Sequence, residues 1–343
     1  MALTVHTHPE KRVVVEDLEL PAPNANEVRV KTAYSFISAG TELTGLQMGG
    51  NVNRKGKRGH RPLGYSLAGT VLEVGANVTH VVPGDKVSCI GAGAVHATEV
   101  VVAKNLVVPV PGGVSLREAA PAAMMCFALG GVRKARIEFG ENVLVLGGGA
   151  MGQIASQLAL ASGANVYLMD TNEKRLCRAI DGVKQVLGDE AGWERIKAET
   201  APVGIEAALI CFGGDATAAF DKIKTVMCKA PDNVAQGRVV SSGGCTITVS
   251  LASASGNIAI LSSAKAGPGY RDADYEGGAD YPIGYVKWTV TRNVKVLLGA
   301  VAAGHLQITP LITHEYPLMD ALAAYEHLAT PGTDALMVLL KHD

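Results

Sequence analysis

Several features that would assign this chain to a broad class are missing from it. Its six cysteines, Cys89, Cys126, Cys177, Cys211, Cys228 and Cys245, include no Cys-x-x-Cys pair, so the usual zinc-ribbon and thiol-redox spacings are absent. Scattered cysteines in a chain of this size read as free thiols in a reducing compartment. Excess charge is missing too. The 31 basic and 32 acidic residues leave a formal net charge of −1, with no basic field to attract nucleic acid or anionic lipid. The longest apolar stretch, around residues 119–129, is too short to span a bilayer. Met1-Ala2-Leu3-Thr4-Val5-His6 has no basic segment followed by an apolar one, so no signal peptide is expected. There is no internal repeat or low-complexity segment. These absences imply a cytoplasmic protein whose partner is a small molecule, not nucleic acid or membrane.

What is present implies two domains. A length of 343 residues exceeds one ordinary domain, and a hydrophobic content of 48% suffices for a large core. The first third has the pattern of strands. Residues 27–32 alternate apolar and polar, and 66–74, 85–90 and 100–109 are β-rich and bounded by glycine or proline. The segment 49–61, polar, basic and glycine-rich, reads as a loop, either solvated surface or a lid that meets an anionic substrate. After Pro111-Gly112-Gly113 the character changes. Ser115 and Glu118 form a capping-box signature for a helix through 119–136. Strands at 143–146, 166–169, 207–211 and 238–241 then alternate with helices at 153–162 and 216–227, which implies an α/β, doubly wound parallel sheet. Segment 267–285 is loop-like. A helix at 286–303, a strand at 308–314, a helix at 318–328 and a strand at 335–340 finish the chain.

The densest motif is Gly147-Gly148-Gly149-Ala150-Met151-Gly152, directly after the strand at 143–146 and opening a helix. Gly147 permits the tight turn, Gly149 lets the backbone approach a pyrophosphate, and Gly152 lets helix and strand pack closely. The helix start, with Ala150 and Met151 in its first turn, offers N–H groups and a partial positive charge to phosphates. The next strand ends in Asp170, 18 residues after Gly152. A carboxylate there accepts both adenosine ribose hydroxyls and repels a 2′-phosphate, so NAD(H) is expected over NADP(H). Thr171 and Arg175 adjoin it, and Arg175 is a counterweight because arginine can accommodate the extra phosphate. Cys211-Phe212 and Ser242-Gly243 end later strands, whose C-termini border the ligand crevice in such sheets; they are further cofactor candidates.

With these residues in view, the chain resembles the medium-chain dehydrogenase/reductase superfamily, the alcohol and polyol dehydrogenase group, from end to end. The matching segments are Ile37-Ser38-Ala39-Gly40-Thr41-Glu42, Pro62-Leu63-Gly64-Tyr65-Ser66-Leu67-Ala68-Gly69-Thr70-Val71, Val82-Pro83-Gly84-Asp85-Lys86-Val87 and Pro310-Leu311-Ile312-Thr313-His314. The Ser-Ala-Gly-Thr-Glu segment, Gly267-Pro268-Gly269-Tyr270-Arg271-Asp272 and Tyr285-Val286-Lys287-Trp288-Thr289-x-x-Arg292-Asn293 look like one bacterial branch. That branch holds the dehydrogenase halves of two-part oxidoreductases linked to sugar metabolism, with bacteriochlorophyllide dehydrogenase-like proteins near it. It more often has Arg-Tyr where this chain has Tyr270-Arg271. The resemblance implies a split, mostly β, GroES-like catalytic domain (1–122 and 267–343) and a Rossmann cofactor domain (123–266), with the active site in the cleft and a homo-oligomer, dimer or tetramer, as the assembly.

The chain departs from the zinc members of that superfamily. Where they carry a cysteine, it has Ser38 or Ala39; their Gly-His-Glu is Gly64-Tyr65-Ser66; their third ligand falls near Ala122-Ala123-Met124. Their structural-zinc lobe is also missing, Cys89 standing alone before Gly91-Ala92-Gly93. None of these is a good zinc ligand, so no metal is expected. Without zinc, a positioned base must take the alcohol proton, or donors must stabilise the oxyanion. Tyr65, at the position of the lost histidine, is either that group or a core tyrosine with a satisfied hydroxyl. Thr41 offers a relay hydroxyl; Glu42 is a catalytic or a structural acid. His96 falls where the superfamily lines its alcohol pocket, and its pKa suits proton transfer. Lys265 follows the last strand of the cofactor sheet. Tyr270, Arg271, Asp272, Tyr281, Trp288 and Arg292 form a group suited to gripping polyhydroxylated ligands. His6-x-His8 lies at a terminus read as frayed and has no assigned role.

The leading expectation is therefore zinc-independent, NAD(H)-dependent hydride transfer between nicotinamide and a secondary alcohol or ketone of a sugar, cyclitol or related polyol. A zinc-free quinone or enone reductase, which would usually favour NADPH, and a catalytically inactive NAD(H)-binding protein are the alternatives.

Overall fold

Buried aliphatic runs set the larger of the two sheets in the unit that carries the glycine turn. In the computed structural model, which describes residues 1–8, 12–46, 61–250 and 256–342, strands Asn142–Leu146, Asn165–Asp170 and Ala207–Ile210 are buried almost throughout. Strands covered on both faces have this pattern. With Lys184–Leu187, Gln236–Ser241 and Asn257–Ser262 they form a six-stranded sheet, parallel at every pairing. Counted along the chain, the strands lie in the order 3-2-1-4-5-6, the doubly wound order of dinucleotide-binding folds. Helices Ala150–Ala161, Glu190–Thr200 and Thr217–Val226 accompany it, and Leu144, Tyr167, Ile196, Phe220 and Ile223 meet in one core.

The chain divides into two compact units. One is Phe127–Lys265 with His305–Gln307; the other is Met1–Cys126 with Ala266–Gly304 and Ile308–Asp343. Gln157 ties the short segment to its unit, donating to Gln307 O at 3.1 Å while accepting from Gln307 N at 2.7 Å.

In the second unit the 11-residue strand Glu27–Ile37 is the spine of a seven-stranded sheet. Ser66–Val74 runs antiparallel along one edge. On the other edge Glu99–Ala103 pairs with its first half and Met337–Lys341 with its second. The spine delivers Ser38 and the helix Ala39–Leu46 at its end. Helix Ala321–Ala329 packs Ala324, Tyr325 and Leu328 against Val5, Ile37, Val338 and Leu340.

Several sequence expectations shift. The first residues are not frayed: Ala2–His8 is a strand paired with Arg12–Leu18 and Arg61–Pro62, with Val5 fully buried and His6 buried beside it. The helix expected over 119–136 is two, Leu116–Ala119 and Ala122–Ala135. Pro121 lacks an N–H, and the Ser66 hydroxyl bridges the break, donating to Ala120 O at 2.6 Å and accepting from Ala123 N at 3.1 Å. The capping box at Ser115 and Glu118 is present. The run at 100–109 is two strands, Glu99–Ala103 and Val107–Pro109, joined by a 3-10 turn. Thr289 caps the helix Val290–Ala302, four residues later than the apolar pattern implied. Strands Lys184–Leu187 and Asn257–Ser262 were not anticipated, being short or largely exposed. The loop expected at 49–61 lies outside the described residues except for Arg61. Among the described residues no helix is long and apolar enough to cross a membrane.

Candidate cofactor turn and active site

The glycine turn owes its shape to close backbone contact. Gly147 has φ +98°, in the left-handed region. A Cβ on Gly152 would stand 1.8 Å from Gly147 O, so the helix rests on the turn with no room for a side chain. Gly149 differs: a Cβ there would meet nothing within 4 Å. It caps the 12-residue helix Ala150–Ala161 through extended backbone without a side-chain cap, so the first-turn N–H groups of Ala150 and Met151 face the open side.

Asp170 is buried and gripped by the same turn. Its Oδ2 accepts from Gly148 N at 2.6 Å and its Oδ1 from Asn172 N at 2.7 Å. Each oxygen keeps capacity for a further donor such as a ribose hydroxyl. The Arg175 guanidinium approaches to 4.0 Å. Beside Asp170 lies an open depression of about 520 Å³, lined by Thr171, Asn172, Glu173, Lys174 and Leu187. The strand end bearing Cys211 and Phe212 borders this turn, a Cβ on Gly147 lying 3.3 Å from Cys211 C and 3.5 Å from Phe212 Cβ, while Gly243 packs on Phe212 and Ser242 on Gly131. A Cβ on Gly243 would lie 2.3 Å from Phe212 O, and one on Gly131 would lie 2.2 Å from Ser242 Oγ. Burial pushes the Cys211 thiol up to about 12, so it stays neutral. Ser242 Oγ and Arg175 Nε are buried polar atoms with no hydrogen-bond partner among the described residues. The exposed Lys265 follows Asn257–Ser262 in this unit.

In the other unit, four of the five expected catalytic residues come together. Tyr65 Oη donates to Ser38 Oγ at 2.5 Å, and Thr41 lies within hydrogen-bonding influence of the same phenol. Burial pushes Tyr65 up to about 12, against the hydrogen bonds of Ser38 and Thr41. Behind this pair stands Glu42, 5% exposed. Its Oε1 accepts from Ser38 N at 2.7 Å, at the start of the helix Ala39–Leu46. Its Oε2 lies 3.1 Å from His96 Nε2 and accepts from Tyr325 Oη at 2.5 Å. Burial and the adjacent carboxylate push the Tyr325 phenol well up, so it remains a donor. His96 Nδ1 lies 2.7 Å from Ser35 Oγ, which lies 2.8 Å from His342 Nε2. Burial and neighbouring His96 lower His342 to about 3, keeping it neutral. A Cβ on Gly64, at φ +93°, would stand 2.8 Å from the His96 ring. Gly64-Tyr65-Ser66 therefore does three things: it yields space to His96, presents a phenol, and pins the helix break.

Ser35, Tyr325 and His342 escaped the sequence reading. No local signal marks Tyr325 or His342, which lie 283 and 307 residues from their partners Glu42 and Ser35. The Ser38–Glu42 contact left a trace, a serine and glutamate one residue further apart than in a capping box.

The expected substrate residues divide. Tyr270 is buried, acts on the electrostatics of Tyr65, and carries the Arg271 guanidinium 5.6 Å from its ring centroid. Asp272 and Tyr281 serve their own segment. Asp272 Oδ1 accepts from Asp274 N and Tyr275 N, each at 3.1 Å, and Oδ2 accepts from Tyr281 Oη; the Tyr281 ring stacks on Tyr275 at 5.4 Å. Arg292 lies over the half-buried Trp288 at 4.6 Å and donates to Lys287 O at 2.9 Å.

Comparison with known proteins bears on the fold and on the class of enzyme. A family profile described as 3-hydroxyacyl-CoA dehydrogenase, NAD binding domain, matches residues 142–236. Sorbitol dehydrogenase of Bos taurus is 24% identical over 362 aligned residues, covering 95% of this chain and 92% of that protein. D-guloside 3-dehydrogenase of Escherichia coli (strain K12) is 31% identical over 189 residues, 49% of this chain and 53% of that one. The crystal structure of 2R,3R-butanediol dehydrogenase from Bacillus subtilis matches over all of both chains with a TM-score of 0.77 at 17% identity. Over nearly its whole length the chain is thus similar to alcohol- and polyol-type dehydrogenases, and it shares their fold. The NAD-binding profile over residues 142–236 supports a nicotinamide cofactor. The residues present fit one: the open side of Gly149, the uncapped helix start, the Asp170 carboxylate, and the two buried polar atoms that still want partners.

Proposed function

We propose that this oxidoreductase transfers hydride between NAD(H) and a secondary alcohol or ketone of a sugar, cyclitol or related polyol, and that it does so without catalytic zinc. The observation that carries the proposal is the hydroxyl pair Tyr65–Ser38, 2.5 Å apart; by the resemblance Tyr65 stands at one zinc-ligand position and Ser38 or its neighbour Ala39 at another. A phenol raised to about 12 and an aliphatic hydroxyl, bonded to each other, are a poor donor set for zinc. The residues do not fit that metal.

They fit proton handling instead. Bound nicotinamide would supply or accept the hydride. At neutral pH Tyr65 keeps its proton, so its O–H acts as a donor to a carbonyl or to the oxyanion that develops in the transition state. The sequence leaves Tyr65 as either the acid/base or oxyanion group or a core tyrosine with a satisfied hydroxyl; its raised pKa favours donor over base, and the Tyr65→Phe variant separates the donor from the core role. For that single O–H to reach substrate the pair must reverse, Ser38 Oγ–H then donating to Tyr65 Oη and holding its direction. Glu42 fixes the Ser38 backbone and, with Tyr325 and His96, forms the support behind it. NAD(H) over NADP(H) is supported by Asp170, whose charge meets a 2′-phosphate unfavourably. The polyol assignment is supported by what the sorbitol, guloside and butanediol relatives are named for. We place a homo-oligomeric contact on the outer strand Asn257–Ser262, where Ile260 and Leu261 are exposed on an unpaired sheet edge; light scattering reads the resulting state.

The test is nicotinamide absorbance across a panel of sugars, cyclitols and polyols, in both directions. Turnover with at least one member is expected, and Tyr65→Phe should lower it by roughly 10²–10³-fold, the scale of losing one oxyanion donor, with substrate KM little changed. Equal activity in Tyr65→Phe removes the phenol from the chemistry. Turnover confined to quinones or enones replaces the substrate class, since the same O–H would polarise those carbonyls. Cofactor binding with no turnover anywhere favours an inactive NAD(H)-binding protein.

A further inference from the structure

We propose that His314, His327 and Asp334 form a binding site for one divalent transition-metal ion, zinc or nickel, outside the hydride-transfer site. Their ligand atoms lie within 4.8 Å of one another, with both histidines half-buried and the aspartate exposed. Ligands of one tetrahedral zinc stand ~3.4 Å apart, so closure draws the ligand atoms together by at most ~1.4 Å.

Three elements bring these residues together. His314 and Tyr316 share one face of the strand Ile312–Pro317. Pro317 ends the strand, and the 3-10 turn Leu318–Asp320 folds helix Ala321–Ala329 back over it. His327 thus meets His314 edge to face, with ring centroids 4.3 Å apart. The loop bearing Asp334 is held in register: Leu336 N donates to Thr313 Oγ1 at 3.1 Å, and that hydroxyl donates to Met337 O at 3.3 Å. Gly332, at φ +74°, makes the turn before it.

The surrounding hydrogen bonds are those of a metal site. His327 Nδ1 lies 2.8 Å from Tyr316 Oη, and His314 Nδ1 lies 3.0 Å from Thr313 Oγ1. Metal-bound histidines use one ring nitrogen for the ion and the other for a hydrogen bond that fixes ring and tautomer. Here Nε2 of each ring is the nitrogen for the metal, with Nδ1 anchored. Two imidazoles and one carboxylate, with water completing the shell, suit zinc or nickel and are too few oxygens for calcium or magnesium.

The test uses the full chain, stripped of metal by a chelator and titrated with zinc chloride alone in a calorimeter. One equivalent is expected, with an unfolding midpoint that rises as free zinc rises. His327→Gln should lose that equivalent, Asp334→Asn should weaken it at least ~10-fold, and Tyr316→Phe should weaken it roughly 10–100-fold through the lost anchor. Asp334→Asn lies on an exposed loop and carries the test if His327→Gln does not fold. No uptake of zinc or nickel by the parent chain overturns the site, as does equal uptake by the parent, His327→Gln and Asp334→Asn. The outcome is separable from the zinc-free reading of the active site: zinc lost with His327 belongs here, and activity-linked zinc retained by His327→Gln contradicts that other reading.

Discussion

The turn Gly147–Gly152 is shaped by backbone against backbone, while the group around Glu42 is held by side chain against side chain. In the first, Gly152 touches Gly147 O and one helix presents its first-turn N–H groups. In the second, Ser38, His96 and Tyr325 converge on one buried carboxylate from three separate stretches of chain. The two constructions fail differently. A backbone site fails when a side chain intrudes. A side-chain site fails when one member leaves and its buried partners lose their hydrogen bonds. The nucleotide turn can thus lose ligand affinity without losing the fold, whereas the Glu42 group couples chemistry to stability.

The harshest test of that difference is Glu42→Ala. It strands the Tyr325 hydroxyl and the His96 ring in a dry interior, and removal of one member of such a buried pair costs about 3–5 kcal/mol. Urea unfolding should show the loss, and turnover should fall with it because Ser38 loses its anchor. A variant as stable as the parent would mean that the group is not a unit.

Gly152→Ala against Gly149→Ala tests the other construction. The added Cβ at 152 overlaps Gly147 O, and overpacking of this kind costs about 1–3 kcal/mol; both midpoint and NADH affinity should drop. The same methyl at 149 enters open space, so the midpoint should hold while NADH fluorescence titration shows weaker binding. Equal effects at the two positions would erase the distinction between packing glycine and ligand glycine.

Legibility in the sequence follows the same line. Gly147, Gly149, Gly152 and Asp170 lie within a strand, a turn and the next strand end, so spacing alone gave the tight turn at Gly147 and the close packing at Gly152. The capping box at Ser115 was legible for the same reason. The break at Pro121 was missed although a proline is itself a local helix stop; only the Ser66 bridge, 54 residues from Ala120, lay beyond local reading. Tyr65, Glu42 and His96 could be nominated singly, through resemblance, but not as one network. Hydrogen bonds that close over 283 or 307 residues obey no helical or strand period, so Tyr325 and His342 left nothing to find.

His342 gives the network a pH signature. Its folded value is lowered to about 3 from an ordinary 6.5. Unfolding therefore takes up a proton at any pH between those values, and stability is full above 6.5 and declines as pH falls toward 3. At pH 5 this residue alone should cost about 2 kcal/mol relative to neutral pH. Urea unfolding at pH 7 and 5 measures it, and His342→Gln should show a pH dependence smaller by that amount. An unchanged pH dependence would place the acid sensitivity on other groups.

The mildest effect belongs to Asp170→Asn, where the backbone-built site uses its one side-chain charge. The carboxylate accepts from Gly148 N and Asn172 N on its two oxygens. An amide has one oxygen, so one of those N–H groups must lose its acceptor in either orientation. Binding of both dinucleotides should weaken on that account. The discrimination should also move: with the negative charge gone, Arg175, now 4.0 Å from Asp170, is free to meet a 2′-phosphate. The preference for NADH over NADPH should fall at least ~10-fold, about 1.4 kcal/mol, in paired fluorescence titrations. If both affinities fall together and their ratio holds, Asp170 shapes the turn and the selection between cofactors is made elsewhere.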